Sequence, residues 1–360
     1  MTRARLLAAG ALAAMACGGP SSLVPPSSPT PSAPASPRFD YDGITHVSWW
    51  HDEYGYAAGT DSRRALAATG ASWAGVLATW YMDDRSASDV APDPNRSNDD
   101  AVVRRAIEEL HGLGLKVMLK PHVDVQDGTW RGQITPQDPA RWFASYGAFL
   151  DHYAELARDE HAEMLCIGTE LATMSGAAYA DRWTGLVARV RAEFPGLLTY
   201  AANGVSAADE FTSVSFWSEL DLLGVDAYTP LTNETSPTRQ ELAAGWRRNR
   251  DGYDMVAAFH NLSLAYGKPL VFTEVGYRSA DGANRAPWDY SASEPMDDGE
   301  QADCYAALYE AWLPESSWMK GPFWWAWDVA PPGPGDTGYD PRGKPAEAVL
   351  RAGQTGAPLP

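Results

Sequence analysis

Met164-Leu165-Cys166-Ile167-Gly168-Thr169-Glu170 is a short apolar run that ends on a carboxylate. Its length and composition suit a strand buried on both faces. A second run, Pro269-Leu270-Val271-Phe272-Thr273-Glu274, ends the same way. A carboxylate at the carboxyl end of an apolar parallel strand carries a desolvation penalty, so it tends to be kept there for chemistry rather than packing. One such glutamate could equally be a salt-bridged strand terminus. Two at the same relative position suggest an acid and nucleophile pair.

Outward from these runs, the chain alternates apolar or β-branched stretches with segments of helical period. The strand candidates are Gly43 to Trp50, Ser72 to Tyr81, Lys116 to Val125, Met164 to Leu171, Leu197 to Asn203, Leu220 to Tyr228, Pro269 to Tyr277 and Gly321 to Asp328. Helices are expected between them. Asn98 to Leu113 starts with Asn and Asp and stops at Gly114, and Pro139 to Arg158 and Tyr179 to Phe194 carry apolar residues three and four apart. Eight βα units predict an α/β fold of the closed (β/α)8 TIM barrel type, in which Glu170 and Glu274, on the fourth and seventh strands, share the mouth where such barrels place their sites. An open doubly wound sheet would need a Gly-rich turn after the first strand, and Trp49-Trp50-His51-Asp52 is nothing like one.

The 360 residues, 45% hydrophobic with 15 Trp, can fill one large core and still spare aromatics for a binding surface. A single catalytic domain is expected over 40–355. The formal charge of −19 argues against nucleic acid or an anionic lipid surface as a partner and leaves a neutral ligand such as a glycan.

The amino terminus has Arg3 and Arg5 followed by an apolar stretch from Leu6 to Ala16, which reads as an export signal over 1–17. Ala14-Met15-Ala16-Cys17, followed by two glycines, resembles a bacterial lipoprotein processing site. Cys17 would then be lipidated and tie the protein to the membrane of the cell envelope; ordinary secretory cleavage is the alternative. Residues 18–39 are rich in Pro and Ser, a composition that forms a tether and no core. Cys166 falls in an apolar strand and Cys304 in a helical segment, so no disulfide framework is expected. The seven histidines show no HExxH or Cys-His spacing, and no metal site is predicted.

Glycosidic bonds are broken through oxocarbenium-like states by two carboxyls, one protonating the leaving oxygen and one attacking or activating water. Glu170 and Glu274 match that need. Around them the strand ends offer Trp49, Trp50, Trp80, Tyr81, His122, Asn203, Asp226, Tyr228, Trp325 and Trp327, aromatic faces for sugar rings and short polar groups for hydroxyls. Strand alternation lets only one of Trp49 and Trp50, and one of Trp324 and Trp325, face the mouth. Trp50 is assigned to the site, and Trp325 and Trp327 are expected as the inward pair of the last strand. Tyr228 could hold the seventh-strand carboxylate ionised by a hydrogen bond. Lys120 and His122 share one face of the third strand, as polar lining of the site or as part of a buried ion pair.

Several stretches, in order, resemble glycoside hydrolase family 113. They are Ile167-Gly168-Thr169-Glu170-Leu171, Leu198 to Asn203, Phe216 to Tyr228 and Phe272 to Ser279, extended by Pro287-Trp288 and Phe323-Trp324-Trp325-Ala326-Trp327. The similarity runs from Asp40 to about Arg351. It implies a retaining enzyme of clan A, chiefly β-mannanases, with Glu170 as general acid/base and Glu274 as nucleophile. Thr169 stands where the wider clan commonly has Asn before the acid/base, and Asn203 is the candidate to take over the contact to the 2-hydroxyl. The expected substrate is β-1,4-mannan or a related β-mannoside, with no cofactor and no protein partner. Another β-glycan, or a surface glycan-binding protein without catalysis, are the alternatives.

Overall fold

The computed structural model describes residues 38–360, so the export signal, Cys17 and the linker up to residue 37 lie outside the described residues. Eight strands, β1 (Gly43–Val47), β2 (Trp73–Met82), β3 (Lys116–Val125), β4 (Met164–Thr169), β5 (Leu197–Asn203), β6 (Leu223–Asp226), β7 (Leu270–Val275) and β8 (Met319–Asp328), close into one parallel barrel in chain order. This is the expected (β/α)8 barrel. Strands β3 and β5 have the expected bounds, whereas β1 stops at Val47 and β6 at Asp226. The loop after β1 thus begins before Trp49, and Tyr228 stands beyond β6.

The outer layer holds α1 (Ala57–Ala67), α2 (Asp100–Gly112), α3 (Pro139–Asp159), α4 (Ala180–Glu193), α5 (Arg239–Gly245), α6 (Met255–Tyr266), α7 (Asp298–Trp312) and α8 (Pro345–Thr355). Local chemistry sets their starts: Asp138 accepts the Arg141 N–H ahead of Pro139, and Thr238 and Glu241 form a reciprocal capping box on α5. The repeat is not strict. Between β5 and β6 lie only the 3₁₀ turns Glu210–Thr212 and Trp217–Glu219, while α5 and α6 both follow β6. Phe211, Phe216 and Trp217 fill the place of the missing helix; Phe216 stacks on Trp183 of α4 at 4.2 Å, and Phe211 meets Phe259 of α6 at 5.0 Å. Each buried ring of this kind contributes about 1.5–3 kcal/mol of transfer free energy.

Inside the barrel the lower layer is apolar, with Trp73, Met118, Met164, Cys166, Ala201, Leu222, Val271 and Phe323 packed together. The upper layer is polar. Register irregularities occur between β4 and β5, β6 and β7, β7 and β8, and β8 and β1. In the second, Val225 pairs with Phe272 but Asp226 with Glu274, so β7 advances two residues against one. Such a bulge re-aims the side chain that follows it. Thr273 and Glu274, adjacent in sequence, therefore both meet partners inside the barrel.

Candidate active site

Glu274 is the next-to-last residue of β7, its side chain 7% exposed. Lys120 of β3 donates to its Oε1, His122 Nε2 lies 3.5 Å from the same oxygen, and the Tyr228 hydroxyl donates to Oε2 at 2.8 Å. Burial by itself would push this carboxyl up; the Lys120 charge and the His122 contact outweigh it and hold Glu274 well below the ordinary carboxylate range. Asp226 sits beneath, fully buried, 3.4 Å from Lys120 Nζ and accepting from the Thr273 hydroxyl at 2.7 Å. Burial, and then the charge of Glu274, push Asp226 up. One ammonium thus faces two carboxyls, and Glu274 takes the ionised role.

Glu170 follows β4 with φ of 50°, one of two non-glycine residues in the left-handed region among the described residues. Its N–H donates to the Ala201 carbonyl at 2.7 Å, which fixes this turn and swings the side chain over the mouth. Holding a non-glycine residue in that region costs roughly 1–2 kcal/mol, and such conformations cluster at functional positions. Oε2 of Glu170 accepts from Trp130 Nε1 at 2.9 Å and from Arg131 Nη1 at 3.1 Å. Burial pushes this carboxyl up, the Arg131 charge pulls it down, and Glu274 opposite pushes it up again; the net direction is upward. Two glutamates at one mouth are driven apart, one toward the ionised form and one toward the protonated form, which is the division of an acid and a nucleophile.

The sequence profile of Glycoside Hydrolase Family 113 matches residues 47–342. The chain belongs to this family. It is a glycoside hydrolase. Among solved structures, a GH113 β-mannanase from Alicyclobacillus acidocaldarius, in complex with ManMIm, is 31% identical with a TM-score of 0.78, covering 89% of this chain and 98% of its own. A GH113 β-1,4-mannanase is 26% identical with a TM-score of 0.77, covering 88% of this chain and 99% of its own. A family 5 mannosidase from Rhizomucor miehei, 14% identical with a TM-score of 0.59 over 89% of this chain and 93% of its own, shares the fold. No curated protein is significantly similar in sequence.

In this family 113 chain the other expected site residues divide into three groups. His122, Thr169, Asn203, Tyr228 and Trp325 gather at the mouth. His122 stacks parallel to Trp325 at 6.1 Å between centroids, and Trp325 also meets Trp49 edge-on. Thr169 Oγ1, Asn203 Oδ1 and His122 Nδ1 are buried and have no hydrogen-bond partner among the described residues. Burial pushes the His122 ring down to about 4, so it is neutral near pH 7. Lys120 and Asp226 are also present, but as a correction they are not substrate-facing: both side chains are 0% exposed and occupied with each other and with Glu274.

Trp50 and Trp327 are not where alternation put them. Trp50 stands beyond β1, half exposed, and its neighbour Trp49 makes the contact with Trp325. Trp327 is fully buried in the outer layer, donating to the Ser62 carbonyl of α1 at 3.1 Å, with the Arg342 guanidinium over its ring. The cause is the irregularity between β8 and β1. Ile44 pairs with Trp324 and His46 with Trp327, a step of three residues on β8 against two on β1, which reverses the inward and outward parity between Trp325 and Trp327. On β3, paired regularly with β2 along its length, alternation holds and Lys120 and His122 share the interior.

Four residues outside the expected set complete the site; of these, sequence reasoning places only Asp124 near the mouth, as part of a solvated loop. Trp130 and Arg131 arise from the loop after β3, and Gly132 admits the indole, since a Cβ there would lie 2.3 Å from a ring atom of Trp130. Asp124 at the end of β3 binds Arg131 through Oδ1. Glu210, in the turn after β5, is 4% exposed and accepts from Ser175 at 2.8 Å, Tyr200 at 2.5 Å and the Asn203 N–H at 2.8 Å. Tyr200 in turn accepts the N–H of Leu171, the residue after Glu170, at 2.9 Å. Burial pushes Glu210 up to about 7. The only sequence signal for Trp130 and Arg131 was their place between Gly128 and Gly132 in a polar segment.

Proposed function

We propose that this glycoside hydrolase cleaves β-1,4-mannan or related β-mannosides by double displacement with retention, using Glu274 as nucleophile and Glu170 as general acid/base. The observation that carries the assignment of roles is the different setting of the two carboxyls: Lys120 and the Tyr228 hydroxyl both donate to Glu274, and the Lys120 charge with the His122 contact keeps it ionised against burial, while at Glu170 burial outweighs Arg131 and favours the protonated form. Glu274 attacks the anomeric carbon as the bond to the leaving oxygen breaks, and that oxygen takes the proton of Glu170. Water then attacks the anomeric carbon and gives its proton to Glu170, and the glycosyl bond to Glu274 breaks with the electron pair returning to the carboxylate. Thr169, Asn203 and His122 offer unpartnered polar atoms to sugar hydroxyls, and Trp325 with Trp49 offers ring faces.

The substrate class rests on the two mannanases at 31% and 26% identity, each covered almost entirely. Export, as an envelope lipoprotein through Cys17 or as a secreted protein, rests on the signal-like segment 1–17 and the tether that follows. Reducing-sugar release from glucomannan, galactomannan and a panel of other β-glycans tests the activity, with Glu170→Ala and Glu274→Ala as controls. Mannan hydrolysis lost in both variants supports the reading. Hydrolysis of another glycan keeps the mechanism and discards mannan, and binding without hydrolysis on every substrate returns the glycan-binding alternative. Proton NMR of the first-formed anomer decides retention. Palmitate labelling that disappears in Cys17→Ala decides the anchor.

A further inference from the structure

Two donors converge on one oxygen of Glu170. Trp130 Nε1 and Arg131 Nη1 both reach Oε2, and among the described residues no protein group donates to Oε1. An oxygen facing two N–H groups cannot itself carry a hydrogen toward them, so a protonated Glu170 bears its proton on Oε1. Arg131 also raises a difficulty. A guanidinium against a general acid favours the ionised carboxylate, the wrong form for the first half of the reaction. Asp124 answers both points, because its Oδ1 takes Nε, at 3.2 Å, and Nη2 of the same guanidinium, which also donates from Nε to the Val123 carbonyl at 3.1 Å.

We propose that Asp124 is a positioning residue for Glu170 that acts through Arg131: it turns Nη1 toward Oε2 and shares the guanidinium charge, so that Glu170 presents a protonated Oε1 to the glycosidic oxygen. The inference rests on the acid/base role proposed above for Glu170. The other charges that face Glu170 are Glu274 on β7, Lys120 on β3, Asp226 on β6 and Glu210 after β5. Arg131 also faces Glu274, and Asp124 also faces His122 and Arg96. Asp124→Asn preserves the shape of the side chain, removes its charge and leaves all of these in place.

The test is the alkaline limb of kcat/KM, which reports the acid form of the free enzyme, measured on a mannan oligosaccharide and on a dinitrophenyl β-mannoside. With Asp124→Asn the guanidinium charge falls wholly on Glu170, and the limb moves down by about one pH unit on the oligosaccharide. Arg131→Met moves it up, and the double variant returns it close to wild type. Arg131→Lys keeps the charge without the fork, so the limb stays while kcat falls. The dinitrophenolate leaves without a proton, so its limb does not follow any of these shifts. An unmoved limb in Asp124→Asn, shifts of the same sign in both single variants, or equal shifts on the activated substrate would each overturn the proposal. The failure of the parent reading looks different: Glu170→Ala would then impair both substrates equally.

Discussion

Glu170 directly follows β4 and Glu274 is the next-to-last residue of β7, and the two are held by different kinds of structure. Around Glu274 every partner is borne by a strand or the first residues beyond one: Lys120 and His122 on β3, Asp226 and Tyr228 on and after β6. Around Glu170 the partners Trp130 and Arg131 come from a loop, the backbone is left-handed, and Trp130 is 41% exposed. The difference fits the roles proposed for the two carboxyls, nucleophile for Glu274 and acid/base for Glu170. A nucleophile needs one fixed ionisation state, which a buried ion pair in a stiff barrel interior enforces. A group that gives up a proton and takes one back needs access to solvent and a neighbourhood whose charge is nearly balanced.

Removing the carboxylates breaks this comparison most sharply. Glu274→Ala should reduce kcat by at least about 10⁴-fold on every substrate, because in the proposed double displacement this carboxylate forms the covalent intermediate. Glu170→Ala should lose about 10²–10⁴-fold on glycans while sparing glycosylation by substrates with activated leaving groups. Steady-state rates on a polymer and an aryl glycoside separate the two roles.

Lys120→Met tests whether the Glu274 side depends on one charge. It leaves Asp226 and Glu274 buried without their cation, and thermal unfolding should show a loss of about 3–5 kcal/mol. With Lys120 gone, burial and the facing carboxyl push Glu274 up, so the acid limb of kcat/KM should move to higher pH. An unmoved acid limb would mean that Lys120 is not what keeps the nucleophile ionised.

The Glu170 side should respond to pH through Glu210. Its carboxyl is raised from 4.5 to about 7 by burial, so between those values the folded chain holds a proton that the unfolded chain has released. Stability from this group is complete below pH 4.5 and is lost as pH rises to about 7, by roughly 3 kcal/mol. Glu210→Gln should flatten that slope in melting curves taken across the window. Tyr228→Phe, on the other side, removes one hydrogen bond to a charged group, worth about 1.5–3 kcal/mol, and should lower kcat/KM by about ten- to a hundred-fold without changing the fold. The smallest contrast is between two tryptophans of β8: Trp325→Ala should raise KM by about ten-fold or less, whereas Trp327→Phe should leave KM unchanged and lower only the melting temperature.

By itself the sequence determined the barrel, because eight apolar runs alternating with helical periods have one economical closure, and it put the two glutamates at the carboxyl ends of their strands, because each ends such a run. It also determined the pairing of Lys120 and His122 on one face, since β3 runs without a bulge. Tertiary structure decided the rest. Bulges beside β7 and β8 turned Glu274 inward next to Thr273 and sent Trp327 outward, and period-two reasoning has no access to an added residue in the ladder. Trp130, Arg131 and Glu210 act from loops and turns, whose positions follow from contacts made after the barrel has closed rather than from any local period.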